Sequence, residues 1–143
     1  MNNPRIIYPT PEGGVAIIIP APGCGLTIEE IAAKDVPAGV PFRIVEADAI
    51  PSDRTFRGAW EHGTAGVSVN VTKAQAVRLN QFREMRKPLL EALDVSFVRA
   101  LEQGDASSQA TIAAKKQALR DVTKVALPSD LDALKSFVPP ALA

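Results

Sequence analysis

Apolar positions along the first third of the chain come in short β-branched runs. RIIY (Arg5–Tyr8) and VAIII (Val15–Ile19) flank PTPEGG, where prolines break the strand and glycines permit positive φ. This pattern predicts a β-hairpin, closed by the turn cluster PAPGCG. In LTIEEIAAKDVP, Thr27 and Glu30 have capping-box spacing, and Ile28, Ile31 and Ala32 share one face. A helix of about two turns is expected there, stopping before Pro37. PFRIV (Pro41–Val45) reads as another strand. After the bend-forming Pro51, Ser52 and Asp53, Phe56 and Trp60 stand four apart, accompanied by Arg54 and Arg57.

The second half changes period. GVSVNV (Gly66–Val71) alternates as a strand, and Thr72 with Gln75 repeats the capping-box spacing. Val77, Phe82, Met85, Leu89, Leu93, Phe97 and Leu101 then follow at helical intervals as one apolar stripe. Pro88 lies within it, which implies either a kink or the first turn of a new helix. GDASS (Gly104–Ser108) turns the chain. A return helix over about 107–124 carries Ile112, Leu119 and Val122, with Ala110, Ala113, Ala114 and Ala118 beside them for close approach. A last short helix is expected from Ser129, with Asp132 at capping distance, carrying Leu131, Leu134 and Phe137. Pro139–Pro140 ends it, and the final ALA is expected to fray.

The fold class expected is therefore α+β. A small β-rich N-terminal module with one short helix (1–66) precedes a C-terminal α-helical hairpin with a short terminal helix (67–143). Composition shifts at the same place, from Pro/Gly-rich to Ala/Leu/Lys-rich. Residues 1–72 hold five Lys or Arg against eight Asp or Glu, and residues 73–143 eleven against eight. Overall, sixteen basic residues balance sixteen acidic ones, which gives no signature of nucleic acid or anionic membrane as a partner.

Candidate chemistry is sparse. A single cysteine, Cys24, excludes an internal disulfide and a cysteine-based zinc site, and a lone His62 provides no histidine cluster. PGCG matches neither GxGxxG nor GxxxxGK[ST] and reads as a turn. No paired carboxylates or triad stand at usable spacing, so no catalytic, cofactor or metal residue is assigned, and no cofactor is expected. The longest apolar run is too short to span a bilayer, and no signal peptide is legible, which implies a soluble protein of a reducing cytoplasm. Lys115, Lys116, Arg120 and Lys124 read as the solvated side of the return helix, with no aromatic platform for bases. Phe56 and Trp60 close a small core on one reading and, with Arg57, anchor a partner on the other.

Two segments resemble small proteins encoded in tailed-phage and prophage tail regions. One is IIYPTPEGGVAIIIP…LTIEEIAAKDVPAGVPFRIV…IPSDRTFRGAW; the other is VTKAQAVRLNQFREMRKPLLEALDVSFVRALEQGD…IAAKKQALRDVT. The second is also similar to the phage tail assembly chaperone domain, through Arg83, Arg86, Leu89, Leu90, Asp94 and the string Gln117–Asp121. Val95 stands where that pattern has tryptophan. The resemblance implies a non-catalytic accessory protein of tail or tail-fibre assembly that binds a tail or fibre protein in the host bacterial cytoplasm. Two alternatives are a structural tail or baseplate component retained in the virion and a small inhibitor of host defence. Candidate partner-binding residues are Phe56, Arg57, Trp60, Phe82, Met85, Leu89, Leu93 and Phe97. A homo-oligomer formed through the long helix is a further expectation, because a two-helix hairpin leaves apolar surface uncovered.

Overall fold

The computed structural model describes residues 2–143, which fall into two compact units, Met1–Ala74 and Gln75–Ala143. The fold is α+β: five strands in the first unit, then long helices.

In the first unit, β1 (Pro4–Pro9) is the centre of a three-stranded antiparallel sheet, between β2 (Val15–Ile18) and β3 (Arg43–Glu46). The register places Ile6 opposite Ile18 and Ile44, and Ile7 opposite Ile17 and Arg43. Successive side chains leave a strand on opposite faces, so Ile6 and Ile7 serve two different layers. Ile6 packs with Ile31 and Ala32 of α1 (Ile28–Asp35); Ile7 packs with Val15, Val45 and Trp60. Both isoleucines are completely buried, each worth about 1.5–3 kcal/mol relative to an exposed position. Burial on both faces explains why β1 reads as a continuous apolar run rather than an alternation. The expected capping box opens α1: Thr27 Oγ1 accepts from Glu30 N–H, and the Glu30 carboxylate accepts from Thr27 N–H at 2.8 Å.

A second, two-stranded sheet joins β4 (Trp60–His62) to β5 (Val67–Val69), with Trp60 opposite Val69. Gly66 turns between them at φ 144°, where a Cβ would run into the Ala49 carbonyl. This hairpin moves the division of the chain. The strand expected at Gly66–Val71 pairs back onto Trp60–His62 and belongs to the first unit, so the boundary lies at Ala74/Gln75 rather than at 66/67.

The long helix α2 spans Val71–Glu102 without interruption, and Pro88 sits inside it. Of the two outcomes open for Pro88, the start of a new helix is overturned, since α2 continues through it. Pro88 deprives the carbonyl of Glu84 of its helical donor, and Glu84 is an exposed residue. The expected Thr72 cap is corrected to Asn70, whose Oδ1 accepts from Lys73 N–H at 3.0 Å while its Nδ2 donates to Glu61. Lys73 Nζ completes the group 2.9 Å from Glu61, and its hydrogen bond is the main cause holding the Glu61 carboxyl below its usual range.

In the second unit, Gly104 (φ 66°) reverses the chain and Asp105 caps α3 (Ala106–Arg120), accepting from Ser108 N–H and Oγ. A 3-10 turn, Asp121–Lys124, extends α3, and α4 (Leu131–Ser136) follows. Its cap is Asp130, one residue beyond the expected Ser129, because the Asp130 carboxylate accepts from Ala133 N–H. The tail is not frayed: Pro139 is buried and Pro140–Leu142 forms a 3-10 turn packed on α3. Among the described residues, no helix is long and apolar enough to cross a membrane.

Candidate partner-binding face

The second unit is a helical hairpin whose arms are tied at three levels. Near the loop, Gln109 Nε2 donates to the Ala100 carbonyl. In the middle, Lys116 Nζ lies 2.5 Å from the Asp94 carboxylate and 5.5 Å from the Phe97 ring centroid. At the open end, Arg86 Nη1 donates to the carbonyl of Arg120 at 2.9 Å and, more weakly, to that of Leu119. These carbonyls close α3, where a helix lacks internal donors and welcomes a cation. The partners descend along one arm as they ascend the other, so α2 and α3 run antiparallel.

Lys116 corrects one expectation. Its side chain is only 17% exposed, so it belongs to the seam and not to the wet side with Lys115, Arg120 and Lys124. The alanines are corrected as well: Ala110, Ala113, Ala114 and Ala118 are exposed, so they do not form a close-approach face within this unit. Leu119 and Val122 are buried and Ile112 is half-buried, as the periodicity implied.

The C-terminal segment closes over the first turns of α2. Phe82 meets Phe137 with ring centroids 6.2 Å apart, and Arg78 stacks over Phe82 while its Nη2 donates to the Phe137 carbonyl at 2.6 Å. Gln75 Nε2 donates to the Pro128 carbonyl. Phe82 is thereby fully buried.

The apolar stripe of α2 thus splits by position. Phe82 is core, and Leu93 and Phe97 are half-buried in the hairpin. Met85 (39%), Leu89 (43%) and Leu101 (57%) remain exposed. They are joined by Val95 (52%) and Val98 (51%), which the stripe did not include because they lie off its line. Leu89, Ala92 and Leu93 from α2 line a groove of about 360 Å³ together with Ala118 and Leu119 from α3 and Ala141 from the tail. Val95 and Val98 line a second depression with Asp94, Arg99 and Glu102. Nothing in the sequence marks Ala141 as part of such a wall, since its place depends on how the tail folds back.

Of the three candidates in the first unit, Phe56 and Trp60 are buried, at 6% and 1% exposure, and only Arg57 is exposed. Trp60 packs with Ile7, Val15 and Val45, so the structure places it in the core. Among the described residues, no group of three or more His, Cys, Asp or Glu is placed to hold a metal ion. The chain matches no protein-family model, no curated protein and no solved structure.

Proposed function

We propose that the protein is an accessory factor of tail or tail-fibre assembly in a tailed phage, acting by protein binding without catalysis. Two kinds of support meet here: the resemblance of the two sequence segments, and the surface of the hairpin. The observation that carries the reading is the uncovered apolar length of α2. Met85, Leu89, Val95, Val98 and Leu101 remain open to solvent even though α3 and the tail already cover the rest. Leu89 borders the groove between the arms and Val95 and Val98 border a second depression, so the exposed apolar side chains offer two places for contact with another protein. The groove between the arms accepts a partner's apolar side chains in the manner of helix-and-groove recognition.

A chaperone of this type shields an aggregation-prone fibre or tail protein during synthesis and leaves before the particle is complete. Co-expression with a tail-fibre protein of the same phage tests it. The fibre is expected to be soluble and trimeric with the protein and to aggregate without it. A fibre equally soluble and trimeric alone contradicts the chaperone role. The alternative of a lasting tail or baseplate part has its own readout, since such a part is stoichiometric in purified particles and a chaperone is scarce there.

A further inference from the structure

The first unit carries a cleft of about 440 Å³ that the hairpin reading does not use. Its walls bring together Arg5 of β1, Arg54 and Arg57 of the loop before β4, and Trp60. Both Arg54 and Arg57 place their guanidinium carbon 5.8 Å from the Trp60 ring centroid. Arg5 turns one Nη1 toward Asn3 Oδ1 (2.7 Å) and the Pro4 carbonyl (3.0 Å). Three of this unit's six Lys and Arg line the cleft, while none of its eight Asp and Glu does.

Trp60 is 1% exposed, and its indole Nε1–H is buried without an acceptor among the described residues. Arg5, Arg54 and Arg57 give the cleft wall three guanidinium groups and no carboxylate, which is the complement of an acidic side chain.

We propose that this cleft binds an extended acidic peptide segment, with a Glu or Asp carboxylate held between the guanidinium groups. Peptide is favoured over nucleic acid by charge. The unit as a whole has six basic residues to eight acidic ones, so its field repels a polyanion while the cleft attracts a single carboxylate. Peptide is favoured over a small inorganic anion by the apolar part of the wall, Ile17, Ile19, Ile50 and Pro51. Ile17 belongs to β2, an edge strand of the sheet, alongside which an extended segment can lie. The site is independent of the hairpin, so its failure leaves the assembly reading standing, and the reverse also holds.

Trp60 is the single tryptophan, so its emission reports the cleft directly. The full chain is titrated with a capped pentapeptide carrying one central Glu among Val and Ser, with the same peptide carrying Gln for Glu, with inorganic phosphate and with an oligothymidylate. The expected result is a saturable emission change with the Glu peptide, weakened at least about tenfold by the Gln replacement. R54A/R57A is expected to lose the response with an unchanged circular dichroism spectrum, R54K/R57K to retain part of it, and K34A on the exposed side of α1 to leave it intact. Equal binding of the two peptides, no binding of either, full binding by R54A/R57A, or tighter binding of phosphate or oligothymidylate would each overturn the proposal.

Discussion

Lys116 bridges the hairpin by setting its ammonium 2.5 Å from the Asp94 carboxylate and 5.5 Å from the centroid of the Phe97 ring. The pair is asymmetric. Lys116 is 17% exposed, Asp94 59%, so water screens the acid end more than the basic one. Truncating the lysine removes a charge contact, a cation–π contact and packing, whereas truncating the aspartate removes only the first. K116A is expected to destabilise the fold by about 1–2 kcal/mol and D94A by no more than about 1 kcal/mol. Urea unfolding followed by far-ultraviolet circular dichroism gives both values, and equal costs would contradict the asymmetry.

Arg86 ends α3 from the other arm. R86A leaves the Arg120 carbonyl without its charged donor and is expected to cost about 1.5–3 kcal/mol, the range for a hydrogen bond to a charged group. R86K keeps the charge but not the planar fork and is expected to recover part of the loss. Hydrogen exchange at the last turn of α3 is expected to quicken more than at its first turn, where Asp105 holds the cap.

Core and surface apolar residues of α2 are expected to separate cleanly in stability. F82A empties a fully buried site against Phe137 and Arg78, with an expected loss of about 3–5 kcal/mol. V98S, at 51% exposure, is expected to stay within about 0.5 kcal/mol of the parent. Thermal or urea unfolding of the two variants side by side checks this.

Acid stability follows from three carboxylates held below their ordinary range. Asp105 is lowered chiefly by the Ser108 hydroxyl and then by backbone N–H groups, Asp121 by Lys124 and Gln117, and Glu61 by Lys73. A carboxyl whose folded value lies below its unfolded one stabilises the fold above the unfolded value, 3.8 for Asp and 4.5 for Glu. That contribution falls away as pH drops through the folded value. Urea midpoints are therefore expected to decrease below about pH 4.5, with D105N flattening part of the decrease. A midpoint that rises on acidification would contradict the sign.

Much of the architecture was legible because local signals agreed with burial. The runs around Ile6, Ile7 and Val15, the Thr27 capping box and the Gly104–Asp105 turn each specify their element from nearby residues alone. What was not legible depends on partners far along the chain. Asn70 rather than Thr72 caps α2 because Glu61 fixes the Asn70 amide, although only Thr72, with Gln75 three residues on, meets the capping-box spacing. Trp60 is a strand residue because three-residue β4 is held by β5 and the sheet above it. Lys116 looks like its neighbours in sequence, and only the opposing Asp94 and Phe97 single it out. The cleft is the extreme case: Arg5 meets Arg54 and Arg57 through the sheet, with no local pattern announcing it.

The most direct test of the hairpin as a protein-docking face uses a variant that stays folded. L89S/V95S/V98S/L101S changes four exposed residues of α2, and circular dichroism and unfolding first establish that the helix content is retained. The yield of soluble, trimeric fibre protein is then measured on co-expression with the parent or with this variant. A sharp fall with the folded variant is the result expected of a docking face; an undiminished yield would contradict it.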